Sequence, residues 1–105
     1  MGKFVLAYRG GSGMSEDPAE REQAMAAWGA WFGELGAAVV DAGAPFGASS
    51  TVGTDGAANG AGSAALSGYS ILSAGSIEDA VAHAKSCPVL ANGGTVDVYD
   101  ALPVT

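Results

Sequence analysis

Lys3-Phe4-Val5-Leu6-Ala7-Tyr8-Arg9 is the stretch on which the fold turns. At a period of two, Phe4, Leu6 and Tyr8 share one face, and Val5 and Ala7 share the other. Both faces are apolar, so the stretch predicts a central strand covered on both sides rather than an edge strand half in water. A sheet built around it needs helices on one side and further cover on the other.

Downstream, Gly10 to Ser15 (Gly-Gly-Ser-Gly-Met-Ser) is a turn, and Asp17-Pro18 with Glu20 opens a helix. Asp17 offers a side-chain acceptor to the first free N–H groups, and Pro18 costs nothing where no N–H is needed. At 100° per residue, Arg21, Ala24, Met25, Trp28, Trp31, Phe32 and Leu35 fall within an arc of roughly 120°, which should face the sheet. Gly29, Gly33 and Gly36 line its margin, implying close packing there or, for Gly36, the helix end. Ala37 to Ala42 reads as a short strand, with Val39 and Asp41 on one face. Gly43 to Leu66 is Gly, Ala and Ser with little else, a mobile lid or a partly extended excursion; Ser50-Thr51-Val52 is a possible short strand before a Thr54-Asp55-Gly56 turn. Ser67 to Ala74 alternates as a strand, with Tyr69, Ile71 and Ser73 opposite Ser70, Leu72 and Ala74. Ser76 with Asp79 opens a second helix whose inward face is Ile77, Ala80, Val81 and Ala84, and Cys87-Pro88 stops it. After an Asn92-Gly93-Gly94 turn, Thr95 to Leu102 forms the last strand, with Val96, Val98 and Leu102 opposite Tyr99.

The order is β-α-β, a long excursion, then β-α-β, within one domain spanning residues 1–105. Its economical solution is a ferredoxin-like α+β unit, an antiparallel sheet with two helices on one face. No third helix is left to cover the other face, so a second copy of the sheet is the expected lid, making the protein a homodimer.

Composition narrows the partners. Four Lys or Arg stand against eleven Asp or Glu, a net charge of -7, which argues against nucleic acid and against an anionic membrane surface. The Lys3 to Arg9 run is too short for a signal peptide or a membrane span. The only cysteine, Cys87, excludes an internal disulfide and a thiolate metal cluster within one chain, in keeping with a cytoplasmic protein. No zinc, EF-hand or nucleophile-elbow spacing is present, so neither a metal nor a cofactor is expected. Gly10-Gly11-Ser12-Gly13 lacks a phosphate-loop pattern and precedes the acidic Glu16, Asp17 and Glu20, which would repel phosphate.

Among candidate functional residues, Asp41 ends a strand beside the excursion, where a carboxylate can serve as a general base or simply cap a turn. As a base it would need burial to raise its affinity for protons. Arg9 can answer a carboxylate ligand, or pair with an acid such as Asp41, Asp97 or Asp100. Tyr8, Trp28 and Tyr69 can line a ligand cleft with polar handles, or belong to the core. His83, the only histidine, lies about 100° from the centre of its helix's apolar face and is a poor catalytic candidate. Cys87, at a helix C-terminus with no evident cationic neighbour, reads as a small buried filler.

Several blocks taken together resemble the YCII-related domain family: Lys3 to Tyr8, Met25 to Gly36, Val39 to Gly47, Leu66 to Ile71, Ser76 to Ala80, Cys87 to Leu90 and Gly93 to Val98. The resemblance covers essentially the whole chain. It implies ferredoxin-like domains that pair into a dimeric α+β barrel. Some members carry a histidine in the first helix with an acid as a proposed active-site pair; the matching Arg21 to Ala27 holds no histidine, and Asp41, near the helix-to-strand junction, is not equated with the family's acid.

Two functions are therefore expected in order: a non-catalytic dimeric module that binds a small molecule or another protein, and, as the alternative, an acid-base enzyme whose cleft lies near Asp41 with help from a tyrosine or Arg9.

Overall fold

The computed structural model describes residues 2–10, 17–54, 56–59, 66–91 and 93–102, without the side chains of residues 57–59. Most of the Gly10–Ser15 turn, and Asp55 and Asn92 of two later turns, lie outside the described residues. In chain order the elements are β1 (Gly2–Arg9), α1 (Pro18–Leu35), a 3-10 turn (Gly36–Ala38), β2 (Val39–Pro45), β3 (Ser50–Gly53), β4 (Gly56–Asn59), β5 (Leu66–Ala74), α2 (Ile77–Ala84), α3 (Pro88–Ala91) and β6 (Thr95–Ala101).

The local signals act as their chemistry requires. Asp17 Oδ1 accepts from the Ala19 N–H at 3.0 Å with Pro18 at the first turn, and Ser76 Oγ accepts from the Asp79 N–H at 3.2 Å. Gly36, at φ 54°, closes α1 by donating its N–H to the Phe32 carbonyl. Gly29 and Gly33 do not mark a close approach: a Cβ on either would meet nothing within 4 Å.

β1 is central, as its two apolar faces require. It pairs antiparallel with β5 on one side and β6 on the other, and β2 adds to β5, giving the order β2-β5-β1-β6. Phe4, Leu6 and Tyr8 face the helices. They join Leu72, Trp31, Ala84, Cys87 and Val89 in one cluster and Ala74 and Ala80 in a second.

The expected ferredoxin-like unit pairing into a dimeric α+β barrel is corrected. What is present is an α+β chain with an open antiparallel sheet of four strands and helices on one face. β2 and β6 remain separate edges, with β5 and β1 between them, so among the described residues no ladder closes the sheet. The molecule is correspondingly thin, with extents of 45 × 42 × 19 Å.

Three further expectations change. Val39 and Asp41 do not share a face: Val39 pairs with Leu72 and Asp41 with Ile71, and the register shift between them turns Asp41 to the helix-free side. Only the end of α1 with large apolar side chains packs down; Trp31 is buried while Met25 is 68% exposed. On α2, Ala80 and Ala84 are buried but Ile77 and Val81 are exposed, because the small residues carry the contact with the sheet. The excursion after β2 contains a real hairpin, β3 paired with β4, in a sheet of its own.

Candidate functional site

The helix-free face of the sheet collects most of the chemistry. Its rows run through Asp41 and Ala44 on β2, Tyr69 and Ile71 on β5, Val5, Ala7 and Arg9 on β1, and Asp97 and Tyr99 on β6. Among the described residues, no helix covers this side. Val5, Tyr69 and Ile71 are half-buried by their neighbours, and Tyr99 is 54% exposed.

Asp41 reaches this face through an irregular stretch of β2 that the sequence makes obligatory. Gly43 sits at φ 78°, and a Cβ there would lie 1.8 Å from the Tyr69 carbonyl oxygen, so no other residue permits the approach of β2 to β5. Behind it, the fully buried Ser70 donates from Oγ to the Ala42 carbonyl at 2.7 Å and accepts from the Tyr8 hydroxyl at 2.7 Å. This chain of bonds ties β1, β5 and the bulged part of β2 together. Asp41 Oδ1 then accepts from the Gly43 N–H at 2.9 Å, and Oδ2 from the Tyr69 hydroxyl at 3.2 Å. The charge on Asp41, and secondarily this hydrogen bond, push the Tyr69 phenol above its ordinary ionisation range. Phe46 stacks on the Tyr69 ring at 5.7 Å.

Arg9 does not reach Asp41. Its Nε donates to Asp97 Oδ2 at 2.6 Å across the β1–β6 ladder, and that bond, with the charge behind it, pushes the guanidinium further above its ordinary range. This face therefore holds an exposed Asp41 carboxylate, still charged, with both oxygens engaged by neutral donors, and a partly exposed ion pair.

Tyr8 and Trp28 lie on the opposite side, under the helices. Their rings meet edge to face at 5.0 Å, and Trp28 in turn contacts Trp31 at 5.7 Å. Trp31 Nε1 donates to the His83 carbonyl at 3.1 Å and to Ser86 Oγ at 3.0 Å, fastening α1 to the end of α2. Burial pushes the Tyr8 phenol well above its ordinary range and the Cys87 thiol up to about 11, so neither is poised for chemistry at neutral pH. The candidate residues thus divide: Asp41 and Tyr69 are bonded to each other, Arg9 is on their face but answers Asp97, and Tyr8 and Trp28 are core.

Apart from this face, an open groove of about 520 Å³ lies beside the edge strand β6, lined by Ile77, Val81, Leu90 and Val98 together with Lys85, Asp97 and Tyr99. Sequence reasoning missed it, although Ile77 and Val81 together give α2 more apolar breadth than its small contact face uses. It also missed Ser70 and Gly43. A serine at an inward position between Gly68 and Leu72 was a readable sign of a buried polar bond.

No protein-family model, curated protein or solved structure matches this chain. Together with the open sheet, this corrects the resemblance to the YCII-related family: short blocks such as Gly-Gly-Thr-Val and Ala-Gly-Ala-Pro recur wherever strands meet glycine turns. Among the described residues, no helix is long and apolar enough to cross a membrane.

Proposed function

We propose that the protein is a non-catalytic interaction module that acts as a homodimer, two copies meeting through the helix-free faces of their sheets. The observation that carries this is the character of that face: Val5, Ala7, Ile71, Tyr69 and Tyr99 occupy it in adjacent rows, on a chain with a net charge of -7. Like-charged copies associate where carboxylates are few or already answered, and on this face Asp97 is neutralised by Arg9, while Asp41 keeps its charge at the β2 edge with both oxygens hydrogen-bonded. An isologous contact brings each such row onto its own copy.

The same bonds weigh against the acid-base alternative. A general base must be available to the proton that it takes, and burial is what makes an aspartate basic enough near neutrality. Asp41 is exposed and already accepts from Gly43 and Tyr69.

Sedimentation velocity over the micromolar range tests the proposal. The wild-type chain should run as a dimer, and Tyr99→Asp should run as a folded monomer with an unchanged circular dichroism spectrum, because symmetry buries the new charge twice. Asp41→Asn should leave the dimer intact. A monomeric wild-type protein throughout that range would overturn the proposal.

A further inference from the structure

We infer that the β3–β4 hairpin is an arm that lies against a second copy of this chain. The inference rests on the self-association just proposed, and assigns the element that completes the contact. β3 and β4 pair only with each other, Ser50 with Asn59 through to Gly53 with Gly56, and among the described residues no other element packs substantially on them. Every residue of β3 is exposed, Val52 at 78%. A Cβ on Gly47, Gly53 or Gly56 would meet nothing within 4 Å.

The hairpin continues the β2–β5 pair. The Phe46 N–H donates to the Ser67 carbonyl at 2.9 Å, and the chain then leaves the sheet. The eight steps from Pro45 to Gly53 can carry it up to about 26 Å outward. A two-stranded hairpin with nothing against it is marginal in water. Such a ribbon gains stability by being covered.

The occupant follows from area and charge. A folded chain of 10.2 kDa is expected to expose about 5300 Å², whereas this one exposes 6857 Å², and its radius of gyration is 14.9 Å against about 12.9 Å for a compact chain of this length. The excess, about 1500 Å² over the whole chain, is surface that a compact monomer of this mass would have covered and that association can cover instead. From Gly43 to Leu66 the sequence has a single charged residue, Asp55, so the arm is the surface that another chain of net charge -7 can approach most closely. Small residues along it allow that approach backbone to backbone.

The test deletes residues 48–65, joining Gly47 to Leu66 so that a two-residue turn with glycine first closes Phe46 against Ser67. Sedimentation equilibrium and hydrogen exchange are compared for wild type, the deletion and Tyr99→Asp. The deletion should weaken the dimer by about 100-fold, tenfold for each of two symmetric arms, while the tryptophan emission spectrum of the folded chain stays as in wild type. Backbone amides of residues 50–53 and 56–59 should be protected in the wild-type dimer and exchange freely in the Tyr99→Asp monomer. A deletion variant that dimerises as tightly as wild type, or equal protection in the monomer, overturns the arm and leaves the dimer standing. A wild-type monomer overturns both.

Discussion

Replacing Ser70 by alanine removes one oxygen from a site with no solvent access and should be among the costliest conservative changes in the protein. Ser70 Oγ accepts from Tyr8 and donates to the Ala42 carbonyl, both at 2.7 Å. Ser70→Ala therefore strands the buried Tyr8 hydroxyl, at about 1–3 kcal/mol for a buried group left unpaired, and takes a bond of about 1 kcal/mol from the carbonyl of the exposed Ala42, so the net loss should be about 2–3 kcal/mol. Tyr8→Phe leaves the bond from Ser70 to Ala42 in place and should cost about 1 kcal/mol. The double variant no longer holds the orphaned hydroxyl, so its cost should fall short of the sum by about 1 kcal/mol. Urea unfolding followed by tryptophan emission, at one fixed protein concentration, reads this directly, since Trp28 lies 5.0 Å from the Tyr8 ring. With a urea slope of about 1–1.5 kcal/mol per molar, Ser70→Ala should lower the midpoint by about 2 M. Because the Ser70 bond holds the β2 segment that aims Asp41, the Tyr69 phenol should also ionise at lower pH in Ser70→Ala, towards its ordinary range. A midpoint within error of wild type, or a strictly additive double variant, would refute the tie between β1, β5 and β2.

The other predictions concern the same architecture. Gly43→Ala should destabilise by about 2–6 kcal/mol, combining left-handed backbone strain with overlap on the Tyr69 carbonyl, whereas Gly47→Ala, where a Cβ meets nothing, should stay within about 0.5 kcal/mol of wild type; thermal melts compare the pair. Stability should fall at alkaline pH. The folded state keeps the Cys87 proton up to about 11 against an ordinary 9.0, so the native chain holds more protons over that window and stability drops as pH rises through it. The slope is up to about 1.4 kcal/mol per pH unit, and the raised Tyr8 phenol extends the loss beyond pH 10. Urea midpoints at a series of pH values should show this, with the loss beginning near pH 9 in the wild type and only near pH 10, from Tyr8, in Cys87→Ala. A flat profile in the wild type would contradict the burial of both groups.

What the sequence determined by itself is local. Phe4, Leu6 and Tyr8 against Val5 and Ala7 made β1 central, Asp17 and Ser76 started the two helices, Gly36 ended the first, and Ser50 to Val52 marked a short strand within the excursion. Each depends on side chains and backbone within a few residues, which spacing reports faithfully. What a residue faces across the fold is different. Asp41 left the side of Val39 because β2 bulges against β5, and that bulge depends on a glycine meeting a carbonyl 26 residues away. Tyr8 and Tyr69, both aromatic and both in strands, were indistinguishable as cleft candidates until pairing placed one beneath the helices and the other beside Asp41. Tyr8 meets Ser70 across 62 residues of chain. The sheet's openness and the solitary hairpin were likewise decided by which strands found partners, a property of long-range pairing that no single stretch of sequence contains.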